Sequence, residues 1–319
     1  MNQSIVVIGS SNIDLIAQVP HFPQPGETVG NARYSQAYGG KGANQAVAAT
    51  RAGGKVTFIS SLGNDTFGQN MLANFSKEGI NTDYIVQSEQ EASGTAVILV
   101  NDSGENCIAV APGANGLLSS QIIDESRIAI SSAEIILLQL EIPLETVSYV
   151  VELASGLGKK VMLNPAPAQT LSNDLLKHLH YLVLNETEAE LLVGHAVETE
   201  EQVEQAADEL LKKRVQTAII TLGARGAYVA TRQERQLVSA YRVPPYRVQP
   251  IDTTAAGDAF CGALATALSK GQRLKDAVAF ANAAGALATT KLGAQPSAPT
   301  AAEITSLMKE QSFSANEDF

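Results

Sequence analysis

Apolar residues come in short unbroken runs along this chain, each closed by turn formers: SIVVIGS, KVTFISSLG, AEIILLQLE, KKVMLNPAP, YLVLNE and TAIITLG. Runs of that length suit strands buried on both faces, as in a parallel sheet. Between several of them the pattern switches to the helical period, in FGQNMLANFSKEG (67–79), LETVSYVVELASGLG (144–158) and EEQVEQAADELLKKR (200–214). Alternating strand and helix predicts an α/β fold with right-handed crossovers.

Two stretches depart from the alternation. AQVPHFPQPGETVGNARYSQAYGG is rich in Pro, Gly and aromatic residues, and GTAVILVNDSGENCIAVAPGAN reads as two β-runs joined by a hairpin turn. Together they predict a small β insertion, a lid drawn from about residues 14–38 and 92–110. The rest, residues 1–310, is expected to form one α/β domain, with a polar tail at 311–319. With 319 residues, 45% of them hydrophobic, the chain has enough apolar material for one large core.

Charge narrows the partners. A formal net charge of −11 argues against nucleic acid and against an anionic membrane surface, both of which need clustered Lys and Arg. No stretch approaches the ~20 apolar residues of a membrane span, and MNQSIVVIGSSNIDLIA lacks a basic segment followed by a long apolar one, so a cytoplasmic protein is expected. Cys107 and Cys261 show no CxxC spacing and are expected to be small buried residues; the four histidines form no HExxH.

In an open parallel sheet, ligands bind beyond the carboxyl ends of the strands. Five polar or Gly-rich places fit that position: SSNID (10–14), GGKGAN (39–44), LE (140–141), NETE (185–188) and TLGARG (221–226). GGKGAN precedes a helical pattern, and its glycines allow close backbone approach to a ligand. It is not a Walker A loop, because Ser35 stands where the first Gly would be and Gly42 where Ser or Thr would be. No GxGxxG follows a strand, which counts against a dinucleotide dehydrogenase. TLGARG is the nearest thing to a Gly-rich phosphate loop, but taken alone it reads first as a plain turn into the β-run GAYVATR. In NETE, Asn185 and Glu188 fit a helix capping box, or alternatively the organisation of water around Mg²⁺.

DTTAAGDAF (252–260) runs into an apolar helical pattern beginning near Gly257. Ala255, Ala256 and Gly257 carry small side chains, so their amides can face an anion at a helix N-terminus. Asp258 in the first turn either complements the helix dipole or serves as a base beside the anion hole, as phosphoryl transfer requires.

Taken together and in order, these motifs resemble the ribokinase family of sugar kinases, also called the phosphofructokinase-B family, over nearly the whole chain from SSNIDL to GAQPSAPT. The resemblance implies a three-layer αβα sandwich with a mostly parallel central sheet and a small β-sheet lid. It implies Asp258 as the base that takes the proton from a sugar's primary hydroxyl as it attacks the γ-phosphate of ATP, with Ala255, Ala256 and Gly257 as the anion hole. Where many relatives have GAGD, this chain has AAGD, so Ala255 must tolerate the backbone angle of that Gly. Asn12, Asp14, Gly40, Lys41, Gly42, Asn44 and Glu141 match sugar-contacting positions. Asn185, Thr221, Gly223, Gly226 and Asn282 match nucleotide positions, with Gly257 beside them and Glu188 as the Mg²⁺-linked acid. A K⁺ site is implied at Asp252, Thr254, Ala288, Lys291, Gly293 and Ser297, partly through backbone carbonyls. The substrate implied is D-ribose, with 2-deoxyribose, another pentose, a ketohexose or a nucleoside as rivals, and a homodimer paired through the lids. A sugar-binding sensor without catalysis is the alternative of another class.

Overall fold

The structure is a computed structural model that describes residues 3–231, 235–238, 250 and 252–314. Its thirteen strands are β1 (Ser4–Ile8), β2 (Asn12–Gln18), β3 (Arg33–Gly39), β4 (Lys55–Gly63), β5 (Asn81–Ser88), β6 (Gly94–Val100), β7 (Asn106–Ala111), β8 (Ile135–Leu138), β9 (Lys160–Leu163), β10 (Tyr181–Asn185), β11 (Thr217–Thr221), β12 (Ala227–Thr231) and β13 (Arg235–Val238). Nine form a central sheet in the order β13-β12-β11-β10-β9-β8-β1-β4-β5. Pairing is parallel from β11 through to β5, and only the β11–β12 and β12–β13 pairs are antiparallel.

The apolar runs lie at the centre of this sheet because each must fill two layers. Along β1, Ile5 and Val7 join one buried cluster while Val6 and Ile8 join the other, the two-residue alternation of a strand covered on both faces. The helices Lys41–Arg51, Ala256–Ser269 and Leu274–Ala288 contribute to the first cluster, and Leu144–Gly156 and Glu200–Lys212 to the second. Phe58 on β4 meets Phe75 of the helix Thr66–Glu78 edge to face, with centroids 5.4 Å apart. The three helices anticipated from periodicity form within two residues of their expected limits. The helix that follows GGKGAN starts earlier than its apolar pattern, at Lys41, so most of that motif is the first helical turn.

The remaining strands form a second sheet in the order β3-β2-β6-β7. It spans the segments anticipated as an insertion, beginning at Asn12 and closing at Ala111. All six residues of β7 are exposed, among them Cys107, which corrects the expectation that both cysteines are buried. An edge strand covered on neither face gives a thiol no core to enter. Cys261 is buried, and both thiols are free. The helix Ala301–Ser314 reaches into the segment anticipated as a tail, whose residues 315–319 lie outside the described ones. No described helix is long and apolar enough to cross a membrane.

Two helices approach unusually closely. A Cβ on Gly262 would sit 2.6 Å from Ala49 N and 2.7 Å from Gln45 O, so the helix Ala256–Ser269 meets the helix Lys41–Arg51 backbone to backbone.

Candidate active site

The order of strands lays the polar residues out in a row. Reading along the carboxyl ends of β1, β8, β9, β10 and β11, the chain leaves the sheet at Ser10–Asn12, Gln139–Glu141, Asn164, Asn185 and Thr221. The sugar-type residues therefore gather at one end of the row and the nucleotide-type residues at the other. The helix Ala256–Ser269 brings Asp258 to the row through its contact with the Lys41 helix.

Asp258 is buried, and both of its oxygens are held. Asn44 Nδ2 donates to Oδ2 at 3.0 Å, and Gln45 Nε2 donates to Oδ1 at 2.9 Å. Burial pushes its pKa up; Lys41 and the two amide donors oppose the rise, and the charge of Glu141 adds to it. A carboxylate so placed is a stronger base than one in water. Ala255 caps the helix with φ −115°, an angle open to any residue, so the missing glycine of the GAGD pattern has no conformational cost here. No side chain caps this N-terminus. The Ala256 amide donates to Thr253 O at 3.2 Å, while the Gly257 amide has no acceptor within the helix. Gly257 is exposed, and a Cβ on it would meet nothing within 4 Å. Asp258 thus stands beside an uncapped helix N-terminus that opens onto free space, a place suited to an anion.

On the sugar side, Glu141 Oε2 accepts from Ser10 Oγ (2.6 Å) and from the Lys41 amide (2.9 Å), which anchors the carboxylate at the start of the Lys41 helix. Asn12 Oδ1 accepts from Asn115 Nδ2 at 2.7 Å, and Ser11 N donates to Asn115 Oδ1 at 2.9 Å, so the Asn12 amide has a set orientation. Asn44 Oδ1 is buried with no hydrogen-bond partner among the described residues. Such an acceptor suits a ligand hydroxyl, since leaving it empty costs about 1–3 kcal/mol. The pKa of Asp14 is raised to about 6 by burial and by the neighbouring charge of Glu141. Lys41 sits among carboxylates: burial alone would lower its pKa, but Asp258, Glu141 and Glu188 outweigh it and keep the ammonium charged. Gly40 has φ 85°, and Gly42 packs so tightly that a Cβ would lie 2.6 Å from the backbone of Gly9 and Ser10. Packing alone therefore demands glycine at 42.

On the nucleotide side, Asn185 and Glu188 form the full capping box of the helix Glu186–Val193. That local role does not exhaust Glu188. It is buried, and Asn185 N (2.9 Å) and Asn164 Nδ2 (3.5 Å) both reach Oε2, so Oε1 takes neither bond. Burial raises its pKa, opposed by the Asn185 amide and Lys41 and reinforced by Asp258, so its charge is felt at the base. Thr221 ends β11, and Gly223 and Gly226, both at positive φ, shape the turn into β12, which Arg225 ties to Glu186 by an ion pair. Asn282 is buried in the helix Leu274–Ala288, which packs on the Asp258 helix, where a Cβ on Gly285 would lie 3.2 Å from Ala256 O.

Of the residues matched to a cation, Thr254 and Gly293 hydrogen-bond to Asp252. Its Oδ2 accepts from Gly293 N at 3.0 Å, its Oδ1 from the Thr254 amide at 2.9 Å, and its amide reaches Thr289 O at 3.4 Å. These bonds link the segment before the anion site to the turn after Ala288. A carboxylate and a threonine hydroxyl are hard oxygen donors, which fit a hard cation. The Lys291 side chain turns away to Glu303 at 2.9 Å, leaving only its main chain for that purpose. Ser297 Oγ donates to Ala294 O at 2.8 Å.

Four buried polar residues of the site escaped the sequence reading: Gln45, Asn115, Gln139 and Asn164. Gln139 and Asn164 follow β8 and β9 directly, so the strand-end rule that selected Asn185 also points to them. Asn115 lies in a 3₁₀ turn, Gly113–Leu117, with no pattern around it, and only the fold reveals its contact with Ser11.

Residues 2–301 match the pfkB family carbohydrate kinase model. The chain is similar to the ribokinase of Haemophilus influenzae, at 43% identity over 97% of this chain and 99% of the relative. It is 37% identical to a deoxyribokinase of Salmonella typhimurium, over 93% of this chain and 95% of that one. Among solved structures, the ribokinase of Arabidopsis thaliana complexed with ribose and ATP superposes with a TM-score of 0.90 at 31% identity, covering 97% of this chain and 99% of the other.

Proposed function

The chain belongs to the pfkB family of carbohydrate kinases, and on that premise we propose that it transfers the γ-phosphoryl group of ATP to the 5-hydroxyl of D-ribose, giving D-ribose 5-phosphate and ADP. The observation that carries this reading is Asp258: a buried carboxylate held through both oxygens, beside an uncapped helix N-terminus that opens onto free space.

In this reading Asp258 accepts the hydroxyl proton as the sugar oxygen attacks. The amides at Gly257 and its neighbours hold the charge of the transferring group, as preorganised dipoles do in a dry site. Asn12, Asp14, Lys41, Asn44 and Glu141 select the polyol by presenting buried polar groups that a wrong hydroxyl pattern would leave unpaired. Gly40 lets the chain pass close to the sugar. Asn185, Thr221, Gly223, Gly226 and Asn282 receive the nucleotide. Mg²⁺ would be held with the ATP phosphates through water near Glu188, where it neutralises phosphate charge. K⁺ would sit among Asp252, Thr254, Ser297 and the main-chain carbonyls of Ala288, Lys291 and Gly293, steadying the loop before the anion site.

The small sheet acts as a lid on a single kinase domain, closing over ribose and excluding water that would otherwise hydrolyse ATP. Its uncovered face supports a homodimer paired lid to lid. We place the reaction in the cytoplasm, where ATP is at hand. The second reading, 2-deoxyribose as substrate, is favoured by the likeness to the Salmonella enzyme.

The test is ADP release with Mg·ATP against D-ribose, 2-deoxy-D-ribose, D-fructose and adenosine, each with and without K⁺. Preference for ribose, raised by K⁺, is the expected outcome; a preference for deoxyribose hands the site to the second reading. Asp258→Asn should lower kcat by about 10²–10⁴-fold with ribose binding retained, and near-normal turnover in that variant removes Asp258 as the base.

A further inference from the structure

The hydrogen bonds behind Asp258 run in one direction. Gln139 Nε2 donates to Gln45 Oε1 at 2.6 Å, and Gln45 Nε2 donates onward to Asp258 Oδ1 at 2.9 Å and Asn164 Oδ1 at 3.1 Å. Asn164 Nδ2 then donates to Val183 O at 3.0 Å and reaches Glu188 Oε2 at 3.5 Å. Gln45 and Gln139 are fully buried, and Asn164 nearly so. An amide that gives two hydrogens and accepts one has its orientation decided. Turning Gln45 over would set its oxygen against the Asp258 carboxylate and the Asn164 carbonyl, and its NH₂ against that of Gln139.

We propose that Gln45 is a positioning residue of the phosphoryl-transfer site: its amide, oriented by Gln139, holds Asp258 aimed and ionised, and through Asn164 it links the base to Glu188 on the nucleotide side. The proposal rests on Asp258 being the base. Asn44 claims Oδ2 while Gln45 claims Oδ1, so a proton on either oxygen weakens a bond that a neighbour is placed to give. Lys41, Glu141, Glu188 and the Cys261 thiol also face Asp258, and they remain in place in the variants below.

The experiment is steady-state kinetics with ribose and Mg·ATP across pH, together with ribose binding and thermal melting. Gln45→Leu should lower kcat about 10–100-fold while both KM values stay within about 3-fold. The acid limb of kcat should move to higher pH, because removing a donor to a carboxylate favours its protonated form. Gln45→Glu, which faces Asp258 with an acceptor, should move that limb further. Gln139→Met, which frees the Gln45 amide to turn, should shift it less in the same direction. Wild-type kcat and an unmoved limb in Gln45→Leu overturn the proposal, as does a fall in kcat matched only by weaker ribose binding and a lower melting temperature. If Gln45→Leu does not fold, the limb in Gln45→Glu and Gln139→Met decides by the same criterion. Failure of the functional reading looks different: wild-type protein that turns over no sugar, or Asp258→Asn that keeps its activity.

Discussion

The two sheets are built from similar apolar strands but meet opposite surroundings. In the central sheet every residue of β8 is buried and neighbouring positions on β1 feed two separate cores. In the small sheet β7 is exposed along its whole length, and Tyr34, Val97, Ile108 and Val110 leave large apolar surface in solvent. The first sheet is covered on both faces within one chain, whereas the second leaves an apolar face open. The candidate sugar residues Asn12 and Asp14 sit where the two sheets join, since β2 begins only a few residues after β1 ends and carries both with it.

The sharpest way to test that contrast is to cut equally into both sides. Phe58→Ala, in the fully buried pair with Phe75, should cost about 3–5 kcal/mol in a urea melt. Asp14, at the join, should show a smaller effect that depends on pH. Its folded pKa of about 6 lies above the ordinary 3.8, so folding disfavours the ionised form. Stability is therefore lost as pH rises through that window, by at most about 3 kcal/mol once the group is ionised in both states. Asp14→Asn should flatten stability over this range, leave the free protein more stable at neutral pH, and weaken ribose binding; melts at several pH values with calorimetric titration check it. On the small sheet, Val110→Asp should leave the melt within about 0.5 kcal/mol when measured on monomer. It should nevertheless abolish dimer in sedimentation, because a charge replaces apolar surface at the proposed contact. A Val110→Asp melt as damaged as that of Phe58→Ala would show that the small sheet has a complete core of its own.

The same contrast governed what could be read from the chain. Strands that fill two layers announce themselves as unbroken apolar runs, so the centre of the main sheet was legible, as was the turn between β6 and β7. The edges were not. β5, with the sequence NTDYIVQS, is half-exposed and mixed in polarity, and it gives no signal of that kind. In the site, Asp258, Lys41, Asn44, Glu141 and Glu188 stood out because each lies in a small-residue motif or just beyond an apolar run, and the structure gathers the three carboxylates around the Lys41 ammonium. Gln45 was hidden in plain helix context, and Gln139, although it directly follows a strand, sits inside an apolar run; their importance comes from partners more than ninety positions away. Asn185 and Glu188 showed the reverse difficulty, since a complete local explanation, the capping box, is true and still leaves one carboxylate oxygen for other work.

The backbone contact at Gly262 has a practical consequence for recombination and design. GGKGAN and DTTAAGDAF lie far apart in the chain, yet the helices that follow them interlock so closely at Gly262 that a Cβ there would strike backbone. A chimera that takes its first half from one relative and its second from another inherits two surfaces never selected to fit each other, and the misfit lands on the hydrogen bonds that Asn44 and Gln45 give Asp258. Segment exchange meant to change substrate range should move the two helices together and place its crossovers elsewhere.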